Sequence, residues 1–252
     1  MAPDPDDAPV VLDRRPGASG ELVLRRNGVH HELIVDGCFL MDTRDGRSER
    51  ALARCVLDAV PTPRRVLVGG LGMGFTLVEA LAEPRVQRVD VVELEPVLVG
   101  WHRQFLSHLT GDALANPRTR LHVGDVATVV RDARPGSWDA VCLDVDNGPD
   151  WLARPQNAAL YRPAGLRALA RSLDPNGALA VWSADPAPRL AALLGEVFAD
   201  VRAVPVASRT ARPDWVLLAL SRPAPRRAST ESAAATRPAA AARRAALGRA
   251  ER

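Results

Sequence analysis

Short apolar runs alternate with longer mixed stretches through the middle of the chain. Val66-Leu-Val, Val89-Asp-Val-Val, Leu121-His-Val, Ala140-Val-Cys-Leu and Ala178-Leu-Ala-Val-Trp are each separated by a segment that can hold a crossover helix. Continuous apolar runs of this kind predict parallel strands covered on both faces, hence an α/β domain of Rossmann-like type. Ahead of them, Ala51, Leu52, Cys55, Val56 and Ala59 recur at helical spacing, so a helix is expected from Ser48 to Val60, ended by Pro61 and Pro63. Two later runs, Val201–Val206 and Trp215–Leu220, have only a polar link between them and should pair antiparallel at one edge of the sheet.

The N-terminal pattern is different. Glu21–Arg26 and His31–Asp36 read as strands around Asn27-Gly28, a pair that favours a tight hairpin turn, and Cys38–Met41 reads as a third strand. The expected organisation is a flexible lead-in over 1–19, a β-hairpin extension over 20–47, the main domain over 48–221 and a disordered Ala/Arg-rich tail over 222–252. Five parallel strands closed by an antiparallel hairpin is the layout of the class I S-adenosylmethionine-dependent methyltransferase fold.

Composition narrows the function. Apolar residues make up 47% of 252, and no apolar run approaches the roughly 18 to 20 residues that span a bilayer. The opening Met1-Ala-Pro-Asp-Pro-Asp-Asp lacks the basic and apolar regions of a secretion signal, so a soluble, cytoplasmic protein is expected. There is no lysine, which excludes Schiff-base chemistry and a P-loop lysine. Cys38, Cys55 and Cys142 have no metal-ligand spacing, and no metal is expected. Residues 222–252 hold eight Arg and two Glu, a local +6, so the rest of the chain carries −3 of the net +3. The basic tail lacks interleaved aromatics, and nucleic acid is not the expected partner.

Four motifs carry chemistry. Gly70, Gly72 and Gly74 alternate in a turn between a strand and a helix, where the backbone can approach a ligand closely. Glu93 ends the next strand about twenty residues on, the place for a carboxylate that accepts both hydroxyls of a ribose. Glu95, two residues later, reads as solvent-facing or helix-starting. Asp125 closes another strand and reads either as an acceptor for an adenine amine or as the N-cap of the following helix. Asp144 stands at the carboxyl end of the fourth strand, beside the crevice of an open α/β sheet, where it can orient or deprotonate an attacking amine. Asp146 and Asn147 follow on the same loop.

At these motifs, across roughly residues 21–220, the chain resembles the spermidine synthase family, whose members move an aminopropyl group from decarboxylated S-adenosylmethionine to a polyamine. The likeness lies in Val92-Glu-Leu-Glu, Gly124-Asp, Leu143-Asp-Val-Asp-Asn-Gly-Pro and Asn157 to Gly165. It implies that Glu93 holds the ribose, Asp125 the adenine, and Asp144 prepares the amine. Asp146, Asn147 and Tyr161 are then acceptor-binding residues. Where the family carries an aspartate for the donor's amine this chain has Met73, and Asp45-Gly46 and Ser48-Glu49-Arg50 stand where the family has Asp-Glu and a Tyr-Gln pair. The function expected is a spermidine synthase-like transferase with S-adenosylmethionine or its decarboxylated form as co-substrate and a small amine as acceptor. A methyltransferase and a non-catalytic nucleoside-binding homologue are the alternatives. A homodimer is the assembly the resemblance implies.

Overall fold

The computed structural model describes residues 8–145, 155–209 and 212–222. Among these residues, four strands form an N-terminal antiparallel sheet in sequence order: β1 (Val10–Gly17), β2 (Gly20–Asn27), β3 (His30–Val35) and β4 (Cys38–Asp42). The hairpin and third strand stand where the sequence puts them. Gly28, at φ 60°, and Val29 make the β2–β3 turn.

β1 corrects the expected lead-in over 1–19, since Val10–Gly17 pairs along β2 with a bulge between Val11 and Asp13. Its run Val-Val-Leu-Asp-Arg-Arg-Pro-Gly has no strict alternation because it is an edge strand held by backbone pairing, where proline and charge are tolerated. Leu22, Leu24 and Leu33 of this sheet bury themselves against Met73, Phe75, Leu98, Trp101 and Leu106 of the main domain. The extension is thereby fastened over the glycine turn.

The main domain begins with α1 (Arg47–Ala59), whose buried Leu52, Ala53, Val56 and Leu57 follow the helical period. The strands are β5 (Arg65–Gly69), β6 (Arg88–Glu93), β7 (Thr119–Val123), β8 (Trp138–Leu143), β9 (Leu173–Ser183), β10 (Asp200–Val206) and β11 (Asp214–Leu220), in the order β10-β11-β9-β8-β5-β6-β7. β5 to β9 pair in parallel; β11 enters antiparallel between β9 and β10. This is the class I methyltransferase fold expected, and its apolar core lies on both faces of the sheet.

The crossovers are α2 (Phe75–Ala82), α3 (Pro96–Trp101), α4 (Ser107–Thr110), α5 (Val126–Asp132), α6 (Ala158–Tyr161), α7 (Pro163–Ser172) and α8 (Pro188–Val197). Strand order reverses at β5, between β6 and β8, the point at whose carboxyl ends open α/β sheets bind their ligands. Among the described residues no helix is long and apolar enough to cross a membrane.

Candidate active site

The glycine turn starts as β5 ends. Gly70 has φ 92°, and a side-chain carbon on it would lie 2.1 Å from the Asp144 carbonyl oxygen. Only glycine fits that approach, and it brings the ends of β5 and β8 together. The turn is pinned by hydrogen bonds from Gly70 N to Val92 O (2.9 Å), Leu71 N to Glu93 Oε2 (2.8 Å) and Gly74 N to Leu71 O (2.8 Å).

Glu93, at the end of β6, is 7% exposed. Its second oxygen, Oε1, accepts the Glu95 N–H at 2.8 Å. Burial pushes its pKa up, while the backbone amides of Glu95 and Leu71 pull the other way. Each oxygen keeps a lone pair for a further donor, such as a hydroxyl of a diol. β7 is tied alongside by Gly124 N–H donating to Glu93 O at 2.8 Å. Asp125 follows as the N-cap of α5, with Oδ1 accepting Ala127 N at 3.0 Å and Oδ2 accepting the Thr128 hydroxyl at 3.2 Å. The capping role is therefore real, and it leaves lone pairs for an amine.

Glu95 differs from the solvent-facing reading. It precedes α3, but its side chain is 7% exposed and accepts the N–H groups of Ala18 and Ser19, each at 2.9 Å. It clamps the β1–β2 turn to the main domain.

On the other side of Gly70, Asp144 is fixed by its N–H donating to Gly69 O at 2.9 Å. The structure brings two acids to it that the sequence reading did not single out, Glu49 of α1 and Asp214 at the start of β11. Desolvation, with the Asp214 charge beside it, raises Asp144 to about 7. Desolvation and the Asp144 charge raise Glu49 to about 8. Burial also raises Asp214, against a hydrogen bond from the Ser48 hydroxyl. Asp45 adds to the rise of both Glu49 and Asp214, although it is paired with Arg47, 2.7 Å away. The signal for Glu49 was an acid four residues before Ala53, on the buried face of α1. For Asp214 it was the strand period, which puts it on one face with Val216 and Leu218 and hence toward Leu52 and Val56 of α1.

Asp146 and Asn147 lie outside the described residues. Tyr161, at the end of α6, is 8% exposed, and it packs in the apolar cluster with Leu160, Leu166 and Val181. Met73 is 2% exposed and points into the layer under the N-terminal sheet with Leu22, Leu24 and Leu33.

The spermine/spermidine synthase domain matches residues 47–193, from the start of α1 into α8. The chain belongs to the spermine/spermidine synthase family. Within this family it is similar to the polyamine aminopropyltransferase of Prochlorococcus marinus (strain MIT 9312), 26% identical over 183 residues that cover 68% of this chain and 63% of that protein. It is also similar to putrescine N-methyltransferase 3 of Nicotiana tabacum, 35% identical over 121 residues that cover 48% of this chain and 30% of that protein. The chain thus spans less than two thirds of the length of these curated relatives. Among solved structures, spermidine synthase from Thermotoga maritima superposes with a TM-score of 0.73 at 19% identity, covering 84% of this chain and 73% of that one. A probable spermidine synthase from Corynebacterium glutamicum superposes with a TM-score of 0.62 at 18% identity, covering 82% and 79%. These two likenesses bear on the fold.

Proposed function

We propose that the protein is a cytoplasmic transferase that moves a group from the sulfonium centre of decarboxylated S-adenosylmethionine, or of S-adenosylmethionine itself, to a cationic amine. The carrying observation is the pair of unlike carboxylate settings on either side of Gly70. Glu93 is held by two amides and suits a neutral diol, while Asp144, Glu49 and Asp214 each have their pKa raised by a neighbouring acid, a setting that a bound cation relieves.

In this reading Glu93 accepts the ribose hydroxyls, Asp125 accepts the adenine amine, and Gly70, Gly72 and Gly74 let the donor lie against the backbone. Glu49 and Asp214 draw in the ammonium groups of the acceptor. Asp146, Asn147 and Tyr161 complete the acceptor side. Asp144 takes a proton from the attacking ammonium, and its raised pKa makes it a better base than an ordinary aspartate. The freed amine lone pair forms a C–N bond to the carbon next to sulfur as the C–S bond breaks. The bonding pair stays on sulfur, leaving a neutral thioether nucleoside, and the proton on Asp144 passes to solvent. Most of the acceleration then comes from alignment of the two substrates.

Methyl transfer from S-adenosylmethionine is favoured by one observation. Met73 fills with an apolar side chain the position where the family resemblance implies an aspartate for the amine of the aminopropyl donor, and it is turned into the core. The similarity to a putrescine N-methyltransferase agrees with this second reading.

A calorimetric screen with S-adenosylmethionine, its decarboxylated form and methylthioadenosine tests the proposal, followed by mass spectrometry of products with a panel of amines. Binding of at least one nucleoside and a mass gain of the acceptor are expected, with putrescine and spermidine as weak acceptors. Absence of heat with all three nucleosides overturns the reading. Binding without turnover of any amine leaves the nucleoside site standing and sinks the transfer.

A further inference from the structure

Among the described residues, the Gly72–Met73 peptide is the one part of the glycine turn not tied by β5, β6 or the turn itself. Gly70, Leu71 and Gly74 each donate their N–H to Val92, Glu93 and Leu71 respectively. The Gly72 carbonyl instead meets His102, whose Nε2 lies 2.8 Å from it. A carbonyl oxygen only accepts, so Nε2 carries the proton and donates.

His102 is 2% exposed, and burial lowers its pKa, keeping the ring neutral, although the bond to Gly72 opposes that shift. It stands where α3 gives way to a π-helical turn, His102–Leu106, before α4. Such turns are rare and recur at functional sites. The neighbouring Trp101 uses its Nε1–H on Asp13 of β1, at 2.9 Å, so adjacent side chains serve different elements. The imidazole also stands close to Gly74, where a side-chain carbon would be 3.0 Å from its Cε1.

The peptide is trans, as are the others described, so its N–H points opposite to its C=O. Fixing the Gly72 oxygen on His102 therefore fixes the direction of the Met73 N–H as well, away from the imidazole. We propose that His102 is a positioning residue of the donor site, holding the Gly72–Met73 peptide in the one orientation in which the turn receives the sulfonium end of an S-adenosyl nucleoside. This rests on the transferase reading given above. The gain is preorganisation, because a turn already set loses no freedom when the donor arrives.

Two substitutions separate this role from mere packing. His102→Gln keeps an N–H donor at about the reach of Nε2, whereas His102→Leu keeps an apolar filler and removes the donor. His102→Leu is expected to weaken S-adenosylmethionine or methylthioadenosine binding about ten-fold, the loss of one buried hydrogen bond, and to raise the donor KM with kcat at saturation and the acceptor KM nearly unchanged. His102→Gln is expected to stay within about three-fold of the parent protein, as a retained bond requires.

A packing role alone gives the opposite order, with Leu tolerated and Gln harmful. That order, or equal affinities for parent and His102→Leu, overturns the proposal. Nitrogen-15 spectra of the unsubstituted protein give an answer even where a variant fails to fold. An Nε2–H tautomer whose signal moves on adding donor supports the role; an Nδ1–H tautomer overturns it. Failure of the unsubstituted protein to bind any nucleoside sinks the transferase reading itself, whereas normal binding with an indifferent His102 sinks only this inference.

Discussion

On the β6 side of Gly70, a buried carboxylate meets amides; on the β8 side, carboxylates meet one another. Glu93 has an N–H on each oxygen at 2.8 Å, and those bonds counter the burial that raises its pKa. Asp144 and Glu49 are raised by burial and by neighbouring acids, with no cation of the described residues among the causes. The same side-chain chemistry thus takes two forms on the two sides of one turn. The first is complete without a ligand charge and suits neutral hydroxyls. The second is incomplete until positive charge arrives.

The largest effect that can break this comparison is expected at Glu93. Glu93→Ala removes the acceptor for two buried amides and for the diol, so nucleoside affinity should fall by at least about 100-fold in calorimetry with methylthioadenosine. Affinity within three-fold of the parent would remove Glu93 from the ribose role. Asp144→Asn is expected to lower kcat by roughly 10²- to 10³-fold while leaving nucleoside affinity intact, as loss of a general base does. Loss of nucleoside binding in Asp144→Asn would mean that the two halves are not separable.

The next effect concerns pH. For Asp144 and Glu49 the folded-state pKa lies above the unfolded one, so their contribution to stability is fully present below about pH 4 and is lost as pH rises through about 7 and 8. The protein without ligand should therefore melt at a lower temperature at pH 9 than at pH 6. Glu49→Gln should flatten that slope. Acceptor binding runs the other way: kcat/KM for an amine is expected to climb between pH 6 and 8.5 as the acids ionise while the amine stays cationic. Glu49→Gln or Asp214→Asn should each raise acceptor KM by about ten-fold with donor KM unchanged. A flat pH profile would mean that these acids do not face the acceptor.

The two halves also differ in how far they can be read from sequence. The glycine turn, Glu93 and Asp125 sit at the ends of consecutive β-α units, where local spacing reports spatial position. The acceptor half is assembled from α1, β8 and β11, across 165 positions from Glu49 to Asp214, and no local pattern carries such a meeting. Both residues gave a face signal, an acid on the apolar side of an amphipathic element, yet that signal names the layer and not the neighbour. β1 was illegible for a different reason, because an edge strand held by backbone bonds does not need alternating side chains. Glu95 starts α3, one of its two readings, but the solvent-facing alternative fails because its partners, Ala18 and Ser19, lie in that same unrecognised segment.

The smallest effect is expected at Glu95, and it tests how firmly the N-terminal sheet is joined to the nucleoside half. Glu95→Gln replaces one accepting oxygen by an NH2 group that faces the Ala18 or Ser19 N–H. Little room exists for relief, because a side-chain carbon on Gly17 would already be 2.6 Å from Glu95 Oε2. One amide is left without its acceptor, a cost of about 1 to 2 kcal/mol, or roughly 2 to 6 °C in Tm. Nucleoside affinity should hold within about three-fold, since Glu93 is bound by the backbone N–H of Glu95 and not by its side chain. If affinity instead falls in step with melting temperature, the β1–β2 turn and the ribose carboxylate form one cooperative unit. The comparison would then lie between a donor half that includes the N-terminal sheet and an acceptor half that does not.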